Sequence, residues 1–275
     1  GGGGTAFPNY IREFVKDGFA VLALDWYNQR PAMGLTNASP TEINVNTGAV
    51  LQLGSITALD NGLTNTCIRF RGGVCRGYTS ASGNTEWKNH KGYAIYLADD
   101  LTFDTSGDLA LGNVRRYWLY INHTIEPEPD SARTDYGITV VGGGQVAFGT
   151  VFANSTFTGP VRFTDGCSAL PLTSAFENQS IVIDPGAKLR QYNLYASIKN
   201  LTLGATDAAT PAYVDLHTSY AKTNYAVVVT GELKLEGPVA FLTHSDNVNT
   251  EPLNAAGTYT ALVYRAENAI DTTKF

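Results

Sequence analysis

Two adjacent carboxylates, Asp99-Asp100, are the pair in this chain with the right chemistry for glycoside hydrolysis, which needs two carboxyl groups at a fixed separation. Pectinolytic glycosidases and lyases display such acids with a Gly-His-Gly and an Arg-x-Lys, and both are missing here: Ile198-Lys199 has no arginine before it. Asp99-Asp100 therefore reads as a turn ahead of Leu101-Thr102-Phe103. Asp100, Asp104 and Asp108 fall at intervals of four and miss the alternate acids and central glycine of a calcium loop. A second constellation is aromatic. Trp87, Tyr93, Tyr117, Trp118 and Tyr120 could form a platform for a sugar, since their rings offer apolar faces beside a polar edge. Burial in a core is the competing use of the same rings. Cys67 and Cys75 flank Arg71-Gly72-Gly73, so a turn there could bring them within disulfide range; two buried thiols are the alternative. Cys167 is left over, and three cysteines in this spacing make no zinc pattern, so no metal is expected.

Composition bounds what these residues could belong to. The 275 residues are 43% apolar, enough for a sizeable core, yet only 16% charged. With 28 Gly and 15 Tyr, this is the composition of a β-rich, extracellular protein. A net charge of -6 argues against a nucleic-acid groove. The basic concentrations, Arg69, Arg71 and Arg76 with Arg115 and Arg116, read as solvated loop charges. No run of apolar residues is long enough for a transmembrane helix. Asn-x-Ser/Thr triplets at Asn37, Asn122, Asn154, Asn178 and Asn200 permit glycosylation without implying it.

Residues 1–31 have their own pattern. Gly1, Gly2, Gly3 and Gly4 precede Pro8, which suits a helix's first turn; Tyr10, Ile11, Phe14 and Val15 then share one helical face, and Gly18 ends it. Phe19 to Leu24 follows as a continuous apolar strand, and Asp25 closes the unit. The glycine loop, the helix with Gly18-Phe19-Ala20 and Leu24-Asp25 resemble the α/β-hydrolase family, in particular acetyl-esterase-like members. That resemblance implies an oxyanion loop at Gly1 to Gly4, with a Gly-x-Ser-x-Gly elbow, an acid and a His later in the chain. No elbow occurs: in Gly77-Tyr78-Thr79-Ser80-Ala81-Ser82-Gly83 neither serine has a glycine two residues away on both sides. The expected status of Gly1 to Gly4 is thus vestigial, and the segment reads equally as an N-terminal cap.

From residue 32 onward the unit is strand, glycine turn, strand. Ile43 to Leu51 and Ile181 to Leu189 both run from alternating β-branched residues through two turn residues into Gly-Ala-x-Leu. Gly144, Gly186 and Gly231 lie 42 and 45 residues apart, with further strand-like runs between. Near-equal spacing of this kind points to stacked repeats. The Gly-Ala-x-Leu turns and the ending Ala255 to Val263 resemble the passenger regions of autotransporter-type surface β-helix proteins, which implies export and an elongated shape.

The expected fold is mainly β: a parallel β-helix, or β-solenoid, over residues 32–275 with an irregular insertion at 76–135, preceded by the loop, helix and strand of residues 1–31. A sandwich of hairpins is the competing architecture. The expected function is that of a non-catalytic, exported β-solenoid serving as surface scaffold or adhesion module. The alternatives are a carbohydrate-binding or carbohydrate-active β-helix protein and a truncated esterase-type hydrolase lacking its nucleophile. Expected partners are surface glycans or other cell-surface proteins, not nucleic acid. No cofactor is expected, and the expected location is secreted or cell-surface.

Overall fold

The computed structural model describes residues 22–24, 41–53, 66–77, 85–88, 93–106, 119–191, 196–217, 227–244, 261–265 and 272–274. Gly1 to Gly4, the helix expected over residues 8–17, and Tyr117 and Trp118 lie outside them. The described residues are mainly β. In chain order the strands begin with β1 (Leu22–Leu24), β2 (Thr41–Asn46), β3 (Val50–Leu53), β4 (Thr66–Arg71), β5 (Val74–Gly77) and β6 (Thr85–Lys88). Then come β7 (Tyr93–Leu97), β8 (Leu101–Asp104), β9 (Leu119–Asn122), β10 (Glu126–Pro127), β11 (Ile138–Val141) and β12 (Gln145–Phe148). A 3-10 helix, Thr150–Asn154, precedes β13 (Val161–Phe163), β14 (Ser168–Pro171), β15 (Thr173–Ile183), β16 (Lys188–Arg190) and β17 (Ala196–Leu203). The last are β18 (Ala212–His217), β19 (Val227–Val229), β20 (Leu233–Leu235), β21 (Val239–His244) and β22 (Leu262–Val263).

These strands form three sheets. The long sheet has the order β1-β3-β5-β8-β11-β13-β15-β17-β19-β22, with β20 also on β17; a seven-stranded sheet runs β21-β18-β16-β14-β12-β9-β6; a four-stranded sheet runs β10-β7-β4-β2. Every pairing between these strands is parallel. Strands adjacent in sequence mostly enter different sheets, so each strand meets its hydrogen-bonding neighbour only after the chain has passed through another sheet. Within residues 76–135, where an irregular insertion is expected, the described residues include β6 to β10, which belong to all three sheets. At the other end, β1 joins the long sheet through Leu22↔Leu51.

The core follows from strand alternation. In β11 the side chains of Ile138 and Val140 are buried while Thr139 and Val141 are not, the signature of one face in the interior. Register then stacks like on like. Leu101, Ile138, Val161, Ile181, Leu201 and Leu233 are consecutive partners across the long sheet, all at most 4% exposed. Phe103, Val140, Phe163, Ile183, Leu203 and Leu235 make the parallel column two residues on. Each side chain buried in this way contributes about 1.5–3 kcal/mol relative to leaving it in water. In the seven-stranded sheet the column runs Leu119, Val146, Ala169, Leu189, Val214 and ends at Phe241, which is 43% exposed.

Corners between sheets use the Gly-Ala-x-Leu turns. Gly48 and Gly186 both adopt φ +83, which the third position of a type II turn demands and which glycine accepts without strain. In each, the following alanine donates back to the first turn residue, Ala49 to Asn46 and Ala187 to Asp184. The two turns occupy different corners: the first leads from the four-stranded to the long sheet, the second from the long to the seven-stranded sheet.

Candidate functional site

Among the described residues, one set of outward-facing polar side chains lies on the four-stranded sheet. Ile68 and Phe70 of β4 point into the core, so Cys67, Arg69 and Arg71 must face outward. Register continues that face across the strands: Asn44, Arg69, Tyr96 and Glu126 are successive partners. One residue beyond β10 the ladder persists, because Glu128 donates its amide to the Leu97 carbonyl at 2.7 Å. That bond places the Glu128 carboxylate over the arginines. Its Oε1 accepts from Arg69 Nη1 and from Arg71 Nη2, the latter at 2.8 Å. Arg71 Nε donates to Asn44 Oδ1 at 3.2 Å, and the Arg69 guanidinium lies 5.4 Å from the Tyr96 ring centre. Burial, then the charges of Glu126 and Cys67, raise the Tyr96 phenol above its ordinary value against the pull of Arg69, so it stays protonated.

Beside this face is a corner held by Arg133. It reaches Asp135 Oδ1 at 2.8 Å, Asp100 Oδ1 at 3.0 Å and Asp99 Oδ1 at 3.3 Å, with its guanidinium 4.6 Å from the centre of the Tyr136 ring. Asp100 also accepts the Gly137 amide. The acid pair is therefore a bend between β7 and β8 whose carboxylates are engaged by one guanidinium. Further along, Arg76 binds Asp104 Oδ2 at 2.7 Å. Burial works to raise the Asp104 carboxyl, but hydrogen bonds from Ser106 and Arg76 and the Arg76 charge outweigh it, leaving it below its ordinary value. On the outer face of the seven-stranded sheet, Arg190 and Asp215 pair at 3.2 Å with side chains only 6% and 1% exposed, and Arg190 Nη1 also reaches Gln145.

Arg69, Arg71 and Arg76 thus overturn their reading as solvated loop charges: they are strand residues in ion pairs. The disulfide is likewise corrected. Cys67 and Cys75 are free thiols, Cys67 on the outward face of the four-stranded sheet and Cys75 in the core as part of the long sheet. Their strands belong to different sheets and their side chains face opposite ways. Burial, then the Asp104 charge, raise the Cys75 thiol well above its usual value, and burial raises Cys167, so neither is poised as a nucleophile.

The expected aromatic platform falls in several places. Trp87 on β6 occupies the register position opposite Ile121, a core residue, whereas Tyr120 is opposite Glu86, one position away on the other face. Tyr93 belongs to β7 in a different sheet. The register brings none of these three side by side. No family model, curated protein or solved structure matches the chain. Among the described residues no group of three or more His, Cys, Asp or Glu could hold a metal ion. None of the described helices is long and apolar enough to cross a membrane. What the outward face of the four-stranded sheet offers is a rigid array of planar donors and acceptors. Its sequence signal was the alternation Cys67-Ile68-Arg69-Phe70-Arg71, which marks a strand with arginines on one side.

Proposed function

We propose that this chain is a β-solenoid that serves as an exported, non-catalytic surface scaffold or adhesion module. The observation that supports it is the in-register column from Leu101 to Leu233: six apolar residues from successive parallel strands stack directly on one another. In such an object each layer contacts only its neighbours, and side chains on the outside are held at fixed spacing for display. At about 4.8 Å per strand, the ten-strand path of the long sheet rises roughly 43 Å. The low charge content and glycine- and tyrosine-rich composition fit the outside of a cell. The resemblance of the Gly-Ala-x-Leu turns to autotransporter passengers is consistent with the same role.

Surface display is tested by treating intact cells that carry the gene with protease. Peptides of this chain released before lysis are the expected result, and complete protection until lysis would refute the proposal. The architecture is tested separately with a tandem second copy of residues 161–180. Val161 and Ile181 are register partners twenty residues apart, so the duplicate should slot in as one extra layer without lowering the urea midpoint. An unfolded or aggregated product would count against stacked layers.

A further inference from the structure

We propose that the outer face of the four-stranded sheet binds neutral glycans, with Arg71 and Glu128 clasping a vicinal diol; this rests on the adhesion reading above. Glu128 spends one oxygen, Oε1, on both Arg69 and Arg71, and among the described residues nothing pairs with its Oε2. Arg71 spends Nε on Asn44 and Nη2 on Glu128, which leaves both protons of Nη1 without a partner among the described residues. The two side chains are 45% and 22% exposed and are joined through Nη2 and Oε1, so the unused donor and acceptor belong to adjoining, partly exposed side chains. Adjacent hydroxyls of a sugar ring each donate and accept. Such a diol can give a proton to Oε2 while receiving one from Nη1, and both bonds are strengthened by the charges involved.

Charge on the face selects against ionic ligands. Arg69 and Arg71 are set against Glu126 and Glu128, and Glu42 holds the register position opposite Cys67, so no net positive field attracts a phosphate, sulfate or sialic acid. Tyr96, half-buried beside Arg69 and protonated, supplies apolar area for the C–H face of a sugar. The side chains are already ordered by Asn44, Tyr96 and the shared carboxylate, which lowers the entropy lost on binding. Four strands give a face about 14 Å across, room for more than one sugar ring.

The test is a printed array carrying neutral mannose-, galactose- and fucose-containing glycans, their periodate-oxidised copies, and sialylated and sulfated glycans, probed with the labelled chain. Periodate cleaves vicinal diols. Binding to neutral glycans that disappears after oxidation is expected, weakened by about tenfold or more in Arg71→Met. Arg162→Met breaks a comparable exposed ion pair on the long sheet, Arg162 with Asp184, and should bind like the parent. Circular dichroism and thermal melts of both variants check that each is folded. Binding that survives oxidation, binding to anionic glycans alone, or equal affinity in the two variants would overturn the proposal. A blank array with surface exposure retained would sink this inference and leave the scaffold reading standing.

Discussion

Gly48 and Gly73 lie one layer apart at the corner leading into the long sheet, and alanine would fail at each for a different reason. Gly48 has φ +83 and open space around its Cα, so Gly48→Ala carries backbone strain alone, about 1–2 kcal/mol. Gly73 has no left-handed φ, but an added Cβ would strike the Val45 carbonyl and side chain, an overpacking cost of about 1–3 kcal/mol. Asparagine separates the two causes. It tolerates the left-handed region, so Gly48→Asn should recover most of the urea-midpoint loss, while Gly73→Asn should be worse than Gly73→Ala. Asp104 gives a second prediction at this scale. Its folded carboxyl lies below the ordinary value, so the stability it contributes is complete above the unfolded-state value, about 3.9, and is lost as pH falls through the folded one. Urea midpoints measured from pH 6 downward should therefore fall less steeply in Asp104→Asn than in the parent. Cys75 acts at the other limb: its raised thiol keeps full stability below the unfolded value, about 8.5, and gives it up as pH rises beyond that.

Pairs and corners of strands carry the next set of consequences. Arg190 and Asp215 are neighbours on β16 and β18, buried on the sheet face turned away from the core. Asp215→Ala removes the carboxylate facing a buried guanidinium and should cost about 3–5 kcal/mol in urea unfolding, whereas Arg190→Met with Asp215→Leu should cost less than that single change. Arg133 holds an exposed bend, and its loss should act locally. In Arg133→Ala the amides near Asp100 and Gly137 should exchange faster while the melting temperature hardly moves; a large drop in melting temperature would show that the bend supports the whole stack. Individual strands were legible because alternation reports burial, as Ile68-Arg69-Phe70 and Ile138-Thr139-Val140 show. The partners of the arginines were not, since Glu128 is fifty-seven residues from Arg71 and nothing local says which acid will lie above it. The acidic, proline-rich run Glu126-Pro127-Glu128-Pro129 carries no strand signal, although two of its residues form β10. The thiols misled because eight residues of chain bring Cys67 and Cys75 close along the backbone without saying that a corner turns them into different sheets.

For the molecule as a whole, the mainly β character and its parallel sheets follow from a chain of short β-branched runs punctuated by glycine, but the glycine spacing does not give the length of a layer. The 42 residues between Gly144 and Gly186 span two layers, since Val140 pairs with Phe163 and Phe163 with Ile183. Gly231 is at no corner between sheets: it lies between β19 and β20, which both pair with β17, and its amide donates to the Lys199 carbonyl. The reason is physical: one turn geometry serves two different corners, and segment length between layers is free, twenty residues from Val161 to Ile181 but thirty-seven from Leu101 to Ile138. Exposure along one column predicts unequal sensitivity: Val214→Ala should cost about 2 kcal/mol and Phe241→Ala distinctly less than its size implies, judged by urea midpoints. Phe241 also decides where gentle warming does its first damage. Among the described residues β21 ends the seven-stranded sheet, as β6 does at the other end, and carries the exposed Phe241, so melting of that sheet should begin at β21 and travel toward β16, and trypsin added during a slow temperature ramp should trim the protein to a ladder of progressively shorter, still resistant stumps.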